Sequence, residues 1–262
     1  MSSSGEKEHV MDKKMIEHYR YFLKDSVRLT VDFYQTDQHR GVMPPPVEKP
    51  LSGESRIIEL LPPDEWKGIG SVDLIAAIKN RRSHRTFQHK PLTLDELSFL
   101  LWATQGIRKK VDEATAYRSV PSAGCRHAFE TYLCVLNVSG LEPGIYRYLP
   151  LEHGLAVERH EENLTERLVE AALGQPFFGK APVTFIWTTL PYRMEWRYDI
   201  AAHKVIAIDA GHVCQNLYLA CEAIRAGTCA VAAYNQTLMD ELVNVDGDDE
   251  FVIYTAPVGK VK

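Results

Sequence analysis

The sequence predicts an α+β fold. Segments rich in aromatic and β-branched residues indicate strands and segments with apolar residues at helical spacing indicate helices, but the two do not alternate as in a β-α-β chain. The chain has 262 residues, of which 45% are apolar and 25% charged, so it can bury one large core or two small ones. We therefore expect a globular α+β protein and not a doubly wound parallel sheet.

The net charge limits the partners to expect. A formal charge of −5 gives no general attraction to nucleic acid or to an anionic membrane, so an anion site must be a local cluster of basic residues. The N-terminus has no apolar core of signal-peptide length, and no later segment is as long as a membrane span. We expect a cytoplasmic protein that binds a small molecule, with free thiols at Cys125, Cys134, Cys214, Cys221 and Cys229.

The first 70 residues are predicted to be an extension. Residues 16–34 repeat large apolar groups at helical spacing, which predicts an amphipathic helix. Residues 41–55, GVMPPPVEKPLSGES, contain prolines that remove backbone donors and enforce extended geometry, so they predict a linker or a surface arm. We divide the chain into a helical extension with its proline-rich arm, 1–70, and a main domain, 71–262.

Two helices are predicted at the start of the main domain, one on each side of an arginine-rich segment. Ser71 is placed to cap a helix over 71–81. Residues 93–96, TLDE, form a capping box that opens a second helix, which Gly106 ends. The arginines therefore lie between two helices.

The rest of the chain mixes strands with helices. Residues 183–190 form a continuous apolar run suited to a central strand, and 199–227 are apolar nearly all round, which predicts a helix buried on most faces. Long helices of that kind often lie at a subunit interface. Further strands are predicted at 129–138, 144–150, 228–234 and 250–259, and a further helix at 163–174.

The arginine-rich segment NRRSHRTF is the first candidate site. Arg81, Arg82 and Arg85 surround Ser83 where the first predicted helix ends. Basic residues in a last turn often do no more than stabilise the helix dipole. The pattern continues past the helix end, however, and guanidinium groups beside a hydroxyl suit a phosphate. Residues 121–130, PSAGCRHAFE, are a possible partner, since small side chains permit close backbone approach to a flat ligand.

The motifs together resemble a known family. RRSHRTF, PSAGCRH, GHVCQNLYLACEAIRAGTCAV and the terminal APVGK, in that order, are similar to the FMN-dependent nitroreductase superfamily. HYRYFLK, TDQHRGV and RYDIAAHKVIAIDAGHVCQN resemble its SagB-type dehydrogenase branch. The resemblance implies a mixed sheet flanked by helices, an intertwined homodimer, and FMN in each of two interface pockets.

The resemblance also assigns residues. It implies that Arg81 and Ser83 hold the flavin phosphate and that Arg85 lies under the pyrimidine edge, where a cation makes reduction easier. Arg82 is also expected to bind the cofactor. Lys260 matches a basic position near the phosphate. Three positions depart from the family pattern, with Cys125 in place of Asn, Ala232 in place of Gly and Ala128 in place of Pro. The remaining residues implied to line the flavin are Pro121, Ser122, Ala123, Gly124, Cys125 and Ala232.

The candidate catalytic pair is Arg197 and Tyr198. SagB-type azoline dehydrogenases carry a Lys-Tyr pair, and the matching dipeptide here begins with arginine, whose pKa above 12 prevents it from acting as a general base near neutral pH. Tyr198 is either a proton donor or a packing residue with a satisfied hydroxyl. Azoline oxidation by the usual base is therefore not expected.

The resulting functional prediction has alternatives. The first is hydride transfer through flavin N5, from NAD(P)H to a nitroaromatic, quinone or activated alkene. The others are dehydrogenation of an azoline-like or other small substrate, and flavin binding without turnover. Cys125-x-His127 and His212-x-Cys214 are soft ligand pairs, but their spacing is not that of structural zinc sites, so no metal is expected.

Overall fold

An antiparallel sheet organises the fold. The computed structural model describes residues 12–51, 53, 55–63 and 65–262. The strands in these residues are β1 (Ile57–Glu59), β2 (Ile107–Lys110), β3 (Ala116–Arg118), β4 (Phe129–Val135), β5 (Gly144–Leu149), β6 (Gly154–Arg159), β7 (Val183–Thr189), β8 (Ala226–Thr228) and β9 (Phe251–Lys260). The helices are α1 (Lys13–Leu23), α2 (Leu74–Asn80), α3 (Leu94–Gln105), α4 (Leu164–Ala171), α5 (Tyr192–Tyr198), α6 (Ala202–Ala223) and α7 (Gln236–Val243).

The sheet confirms the α+β class. Its seven strands follow the order β1-β6-β5-β4-β7-β9-β8, while β2 and β3 form a separate hairpin. All paired strands in the described residues are antiparallel, and parallel pairing is limited there to isolated bridges at Ser83–Thr228 and Leu92–Val138. The prediction that residues 183–190 form a central strand is confirmed, since β7 lies between β4 and β9.

Helices cover both faces of the sheet. Leu133 and Phe185 pair across β4 and β7 and belong to the core cluster that includes α3 and α6. Their neighbours Tyr132 and Ile186 also pair, and these pack in a second cluster with α4 and α7, because successive side chains in a strand point to opposite faces. Both strands are buried along their full length, which explains their continuous apolar sequences.

The capping box of α3 is confirmed. The Thr93 hydroxyl accepts a hydrogen bond from the Glu96 amide at 3.2 Å, and the Glu96 carboxylate accepts one from the Thr93 amide at 3.0 Å. The helix ends at Gly106, as predicted. This helix packs on α6 and fixes one layer of the fold.

The starts and ends of two other helices were predicted wrongly. α2 is capped by Asp73 and not by Ser71, because the Asp73 carboxylate accepts the Ala76 amide at 3.0 Å. The single helix predicted over 16–34 ends at Leu23, since the backbone of Lys24 is extended, and short 3₁₀ turns follow it.

The region after α6 also differs from the prediction. The strand expected over 228–234 is wrong: β8 ends at Thr228, and beyond it only Val231 forms an isolated bridge with Thr255 in the described chain. The chain then enters α7, capped by the Asn235 side chain, a helix that was not predicted from the sequence. The short strand leaves room for α7 to pack on the sheet.

The long helix α6 is confirmed, with a narrower range than predicted. One side packs on α3, where the Asn216 side-chain amide donates to the Ala103 carbonyl at 2.9 Å. The expectation that it is buried on most faces is wrong for the single chain. Its other side is open, and Ile208 is 48% exposed beside exposed Ala207 and Gly211.

Candidate functional site

The arginine-rich segment is held against β8. Ser83 forms a parallel bridge with Thr228, and the His84 amide donates to the Thr228 carbonyl at 2.9 Å. Gly227 permits this approach, since a Cβ there would lie 2.5 Å from the His84 ring. The backbone of the segment is therefore fixed although Arg82 and Arg85 are exposed at the surface.

Tyr218 of α6 orients two of the predicted phosphate ligands. The Arg81 guanidinium lies 5.1 Å from the centroid of the Tyr218 ring, and the Ser83 hydroxyl is 3.0 Å from the Tyr218 hydroxyl. The same Tyr218 oxygen accepts the Ala230 amide at 2.8 Å. Tyr218 can donate its hydroxyl hydrogen to Ser83, which leaves the serine hydrogen free for an acceptor.

The three guanidinium groups are uncompensated. In the described residues no carboxylate lies within salt-bridge distance of Arg81, Arg82 or Arg85. Arg81 follows the last residue of α2, where a cation favours the helix dipole, but that role does not require three arginines. Three cations without carboxylate partners, next to a serine hydroxyl that can still donate its hydrogen, fit a phosphate dianion.

The loop before β4 has unusual backbone geometry. Gly124, Cys125 and His127 all have positive φ, at 59°, 55° and 45°. The loop is fixed by hydrogen bonds, with the Ser122 hydroxyl accepting the His127 amide at 3.0 Å and the Ala123 amide donating to Asp209 at 3.2 Å. Non-glycine residues in such conformations are costly and concentrate at functional sites.

Asp209 is a buried acid on α6 that supports this loop. Burial raises the pKa of its carboxyl, while hydrogen bonds from Ser122 and Ala123 act in the opposite direction. Its side chain also lies 3.7 Å from the imidazole of His212, one turn further along α6. The loop is therefore tied to the same helix as the arginine-rich segment.

Gly124 connects the loop with the candidate catalytic pair. A Cβ on Gly124 would lie 2.6 Å from the Tyr198 hydroxyl and 2.9 Å from Nε of Arg197. The Arg197 guanidinium itself lies 5.6 Å from the centroid of the Tyr198 ring. The structure thus brings together three residues that the sequence had suggested separately for flavin binding and for catalysis.

Comparison with known proteins identifies the family. The Nitroreductase family profile matches residues 78–260. The chain belongs to the Nitroreductase family. It is 32% identical over 192 residues to the protein named nitroreductase MJ1384 in Methanocaldococcus jannaschii, which covers 73% of this chain and 93% of that protein.

Two further similarities were found, one in sequence and one in fold. Over 166 residues the chain is 26% identical to the trifolitoxin-processing protein TfxB of Rhizobium leguminosarum bv. trifolii, covering 59% of this chain but only 44% of that longer protein. The fold is similar to a chain of the E. coli microcin synthetase McbBCD complex, with a TM-score of 0.58, 18% identity, and coverage of 97% of this chain and 99% of that chain. The latter likeness extends over the N-terminal region as well.

The predicted flavin ligands of this nitroreductase-family chain fall into two groups. The arginine-rich segment contacts α6 at Tyr218, whereas loop 121–125 contacts α6 at Asp209, nine residues earlier. That separation is about 13 Å along the helix and half a turn around it. In the described part of the chain, no hydrogen bond or ring contact joins the two groups.

Ala232 and Lys260 lie outside these groups. Ala232 is exposed next to the Val231 bridge. The Lys260 ammonium forms an ion pair with Glu96 and donates to the Ile224 carbonyl at 2.6 Å. Its charge is therefore compensated within the fold, and the predicted contact between Lys260 and the phosphate has no support in this arrangement.

A second arginine site was not predicted from the sequence. Arg126 is only 7% exposed and lies beside Gly124, Trp196 and Arg197 in a recess of about 530 Å³. The available signal was an arginine directly after the small residues of PSAGC. Asp209, an acid in the middle of a largely apolar helix, was a similar signal that led to no prediction.

The zinc alternative has no support among the described residues. All five cysteines are free thiols, and no group of three or more His, Cys, Asp or Glu side chains in the described ranges is arranged to hold a metal ion. His127 is buried, and burial followed by repulsion from Arg118 lowers its pKa to about 2, so its imidazole is neutral. Likewise, none of the described helices is long and apolar enough to cross a membrane.

Proposed function

We propose that this nitroreductase-family protein is an FMN-dependent oxidoreductase that transfers hydride from NAD(P)H to a small organic acceptor, such as a nitroaromatic, quinone or activated alkene. Bound FMN would supply a carrier that takes up hydride at N5 and passes it on. Arg81, Arg82 and Ser83 would hold its phosphate, and Arg85 would lie near the pyrimidine edge. The pocket belongs to a cytoplasmic homodimer.

The observation that carries this proposal is the uncompensated charge of residues 81–85. Three guanidinium groups without a carboxylate partner are unfavourable unless they are solvated or bind an anion. The contacts of Ser83 and His84 with β8 keep the backbone of this segment in place, so a ligand need not order it. Tyr218 adds a fixed orientation for Arg81 and Ser83.

The separation of the two ligand groups supports the proposed homodimer. A flavin that contacts both the arginine-rich segment and loop 121–125 can take them from different chains. The surfaces beside each group are apolar and open in one chain: Ile75 and Ile78 of α2 are 76% and 59% exposed, and Ile208 of α6 is 48% exposed. Covering such side chains with a second copy is favourable.

A second candidate function is dehydrogenation of a substrate with the flavin as hydride acceptor. The contact of Gly124 with Arg197 and Tyr198 favours it, because it puts a phenol beside the loop proposed to line the flavin. The name of the relative TfxB, a trifolitoxin-processing protein, agrees with processing of a substrate. Tyr198 is then the group that gives or takes a proton, since Arg197 stays charged. Flavin binding without turnover is the third alternative.

Spectroscopy tests the proposal. Purified protein is expected to be yellow and to release FMN on denaturation. Anaerobic mixing with NADH and with NADPH in a stopped-flow instrument should bleach the flavin absorbance within seconds, and a nitroaromatic or quinone should restore it.

Each failure has a distinct meaning. A colourless protein that FMN cannot reconstitute contradicts the cofactor proposal. A bound flavin that dithionite reduces but neither nucleotide reduces contradicts the reductase and favours substrate dehydrogenation.

A further inference from the structure

We propose that the recess beside Gly124 binds the carboxylate of an organic anion between the guanidinium groups of Arg126 and Arg197. The Arg126 recess is the space lined by Gly124, Arg126, Trp196, Arg197, Asp112 and Glu113. This inference rests on the proposed function, whose substrate class it specifies. The reacting molecule is then a small carboxylate.

Arg126 is a buried cation that forms no salt bridge with the described residues. The residue is 7% exposed, and the nearest acid to act on its charge, Asp112, lies beyond salt-bridge distance. One guanidinium nitrogen donates to the Ala114 carbonyl, and the guanidinium carbon lies 5.2 Å from the Trp196 ring centroid. Nε has no hydrogen-bond partner among the described residues. A buried charge with an unused donor is costly unless a ligand completes its hydrogen bonds.

Arg197 brings a second positive charge to the same recess. Its Nε lies beside Gly124, and in the described chain it has no carboxylate partner. Burial, and after it the charge of Arg197, lower the pKa of Arg126. Two guanidinium groups that repel each other and face one space are a suitable site for a shared anion, which both can hold through charge-assisted hydrogen bonds.

The acids at the rim indicate a singly charged ligand. Glu113 pairs with Lys110 at 2.8 Å and is turned to solvent, so it does not neutralise Arg126. Asp112 accepts the Ala114 amide at 2.8 Å, and this bond lowers the pKa of its carboxyl, which therefore stays charged. With these negative charges at the rim, a phosphate dianion is repelled more than a carboxylate. The ligand that fits the recess is therefore a carboxylate.

The position of the recess relates it to the reaction site. Gly124 belongs to loop 121–125, which we propose lines the flavin, and it contacts both Arg197 and Tyr198. A carboxylate bound between the two arginines is consequently next to the candidate proton donor. Arg126 and Arg197 would select and orient the substrate without taking part in proton transfer.

A matched pair of ligands tests the proposal without turnover. 4-Nitrobenzoate and 4-nitrobenzamide are similar in shape but differ in charge, and calorimetry measures their binding to the oxidised protein without an electron donor. We expect the carboxylate to bind about tenfold more tightly or better, the size expected for a charge-assisted hydrogen bond. Arg126→Gln and Arg197→Gln should remove this preference, and Arg197→Lys should keep part of it.

The control variant is Arg56→Gln, which replaces an exposed arginine beside the edge strand β1. It should leave both affinities unchanged. If Arg126→Gln fails to fold, as judged by circular dichroism and flavin content, Arg197→Gln decides the outcome alone, since Arg197 is only partly buried.

Three results would overturn the proposal. Equal binding of the two ligands shows no carboxylate site, and equal weakening of both by Arg197→Gln shows that this arginine only supports the fold. Competition by inorganic phosphate that exceeds competition by acetate shows a phosphate site.

If the protein holds FMN and reduces 4-nitrobenzamide but does not prefer the carboxylate, the substrate class fails while the proposed function stands. Conversely, if protein that holds no flavin prefers the carboxylate, the carboxylate site stands while the proposed function fails.

Discussion

At the scale of single residues, Gly124 has two separate reasons to be glycine. Its φ of 59° is unfavourable for residues with a Cβ, and a Cβ would also press on Tyr198 and Arg197. Both contacts are with side chains, which can move. The positive φ therefore affects stability, whereas the close contact affects the position of the candidate catalytic pair.

A substitution at Gly124 separates these effects. We expect Gly124→Ala to lower the free energy of unfolding by about 1 kcal/mol through the backbone conformation and, in addition, to displace Arg197 and Tyr198. Gly140→Ala is the control, since Gly140 has φ of 88° and a Cβ at that position would meet nothing within 4 Å. Thermal unfolding should show similar losses for both, but only Gly124→Ala should reduce turnover and carboxylate binding. Equal activity in the two variants would argue against the role of the contact.

Arg81 offers a test of phosphate recognition. Arg81→Ala should weaken FMN binding about tenfold or more, but riboflavin binding much less, because only FMN carries the dianion. Tyr218→Phe is a matched variant that keeps the ring beside Arg81 and removes the hydroxyl that contacts Ser83. It should cause a smaller loss. Equal loss of FMN and riboflavin in Arg81→Ala, measured by fluorescence titration of the apoprotein, would show that Arg81 only supports the end of α2.

At the scale of elements, the proline-rich arm is fixed by its carbonyls. Prolines donate no backbone hydrogen bond, but the Val47 carbonyl accepts Arg118 at 2.7 Å and the Lys49 carbonyl accepts Arg147 at 2.7 Å. The Lys49 amide donates to Glu130 at 2.8 Å. Burial opposes the charge on Glu130, but its arginine neighbours outweigh this effect and lower its pKa. The arm therefore covers a buried charge network and gives its arginines neutral acceptors.

Glu48, in the proline-rich arm, makes the free energy of unfolding depend on pH. Burial raises the pKa of this carboxyl to about 7, helped by repulsion from Glu130 and opposed by the Leu151 amide. Because the pKa in the folded state exceeds that of the unfolded chain, the protonated form is favoured on folding and stability falls as the pH rises from about 4.5 to 7. Glu48→Gln should remove this component, on the order of 1 to 2 kcal/mol after solvent screening.

Urea unfolding of wild type and variant across that pH range provides the measurement. The difference between the two proteins should grow with pH in favour of Glu48→Gln. Glu162→Gln, at an exposed position before α4, is the control and should follow the wild type. A pH-independent difference for Glu48→Gln would contradict the assignment.

Elements with local signals could be predicted from the sequence, and those that depend on tertiary contacts could not. The TLDE capping box needs only Thr93 and Glu96, and both of its bonds are present. By contrast, Ser71 and Asp73 are both good capping residues two positions apart, and the choice depends on how the chain enters the helix after the bend at 67–68. Residues 228–234 are rich in small apolar groups that favour a strand, but only the neighbouring strand β9 decides how many of them pair.

At the scale of the whole molecule, the candidate site is divided, which limits what sequence alone reveals. The arginine-rich segment and the loop around Gly124 stand out as motifs, but the packing of Gly124 on Arg197 and Tyr198 requires the fold. The role of Arg126 is equally hard to predict from the sequence. That it forms no salt bridge with the described residues is visible only when its surroundings are known, because a sequence does not state which charges are paired.

The final prediction concerns assembly and flavin binding as one property. If the two ligand groups come from different chains, disrupting the open face of α6 should separate the subunits and release FMN together. Ile208→Asp puts a charge on that face, where burial in an interface is unfavourable. Leu173→Asp is the control: Leu173 is 61% exposed, follows α4 on the other side of the sheet, and has a positive φ that aspartate tolerates.

Light scattering at micromolar protein, with flavin absorbance recorded on the same samples, gives the result. Wild type and Leu173→Asp should be dimers with FMN, and Ile208→Asp a folded monomer without it, because the two halves of each pocket then lie on separate molecules. A monomer that retains FMN would contradict a pocket shared between chains. It would instead require that the arginine-rich segment and the loop 121–125 serve different ligands, with the flavin held at Arg81 and Ser83 alone.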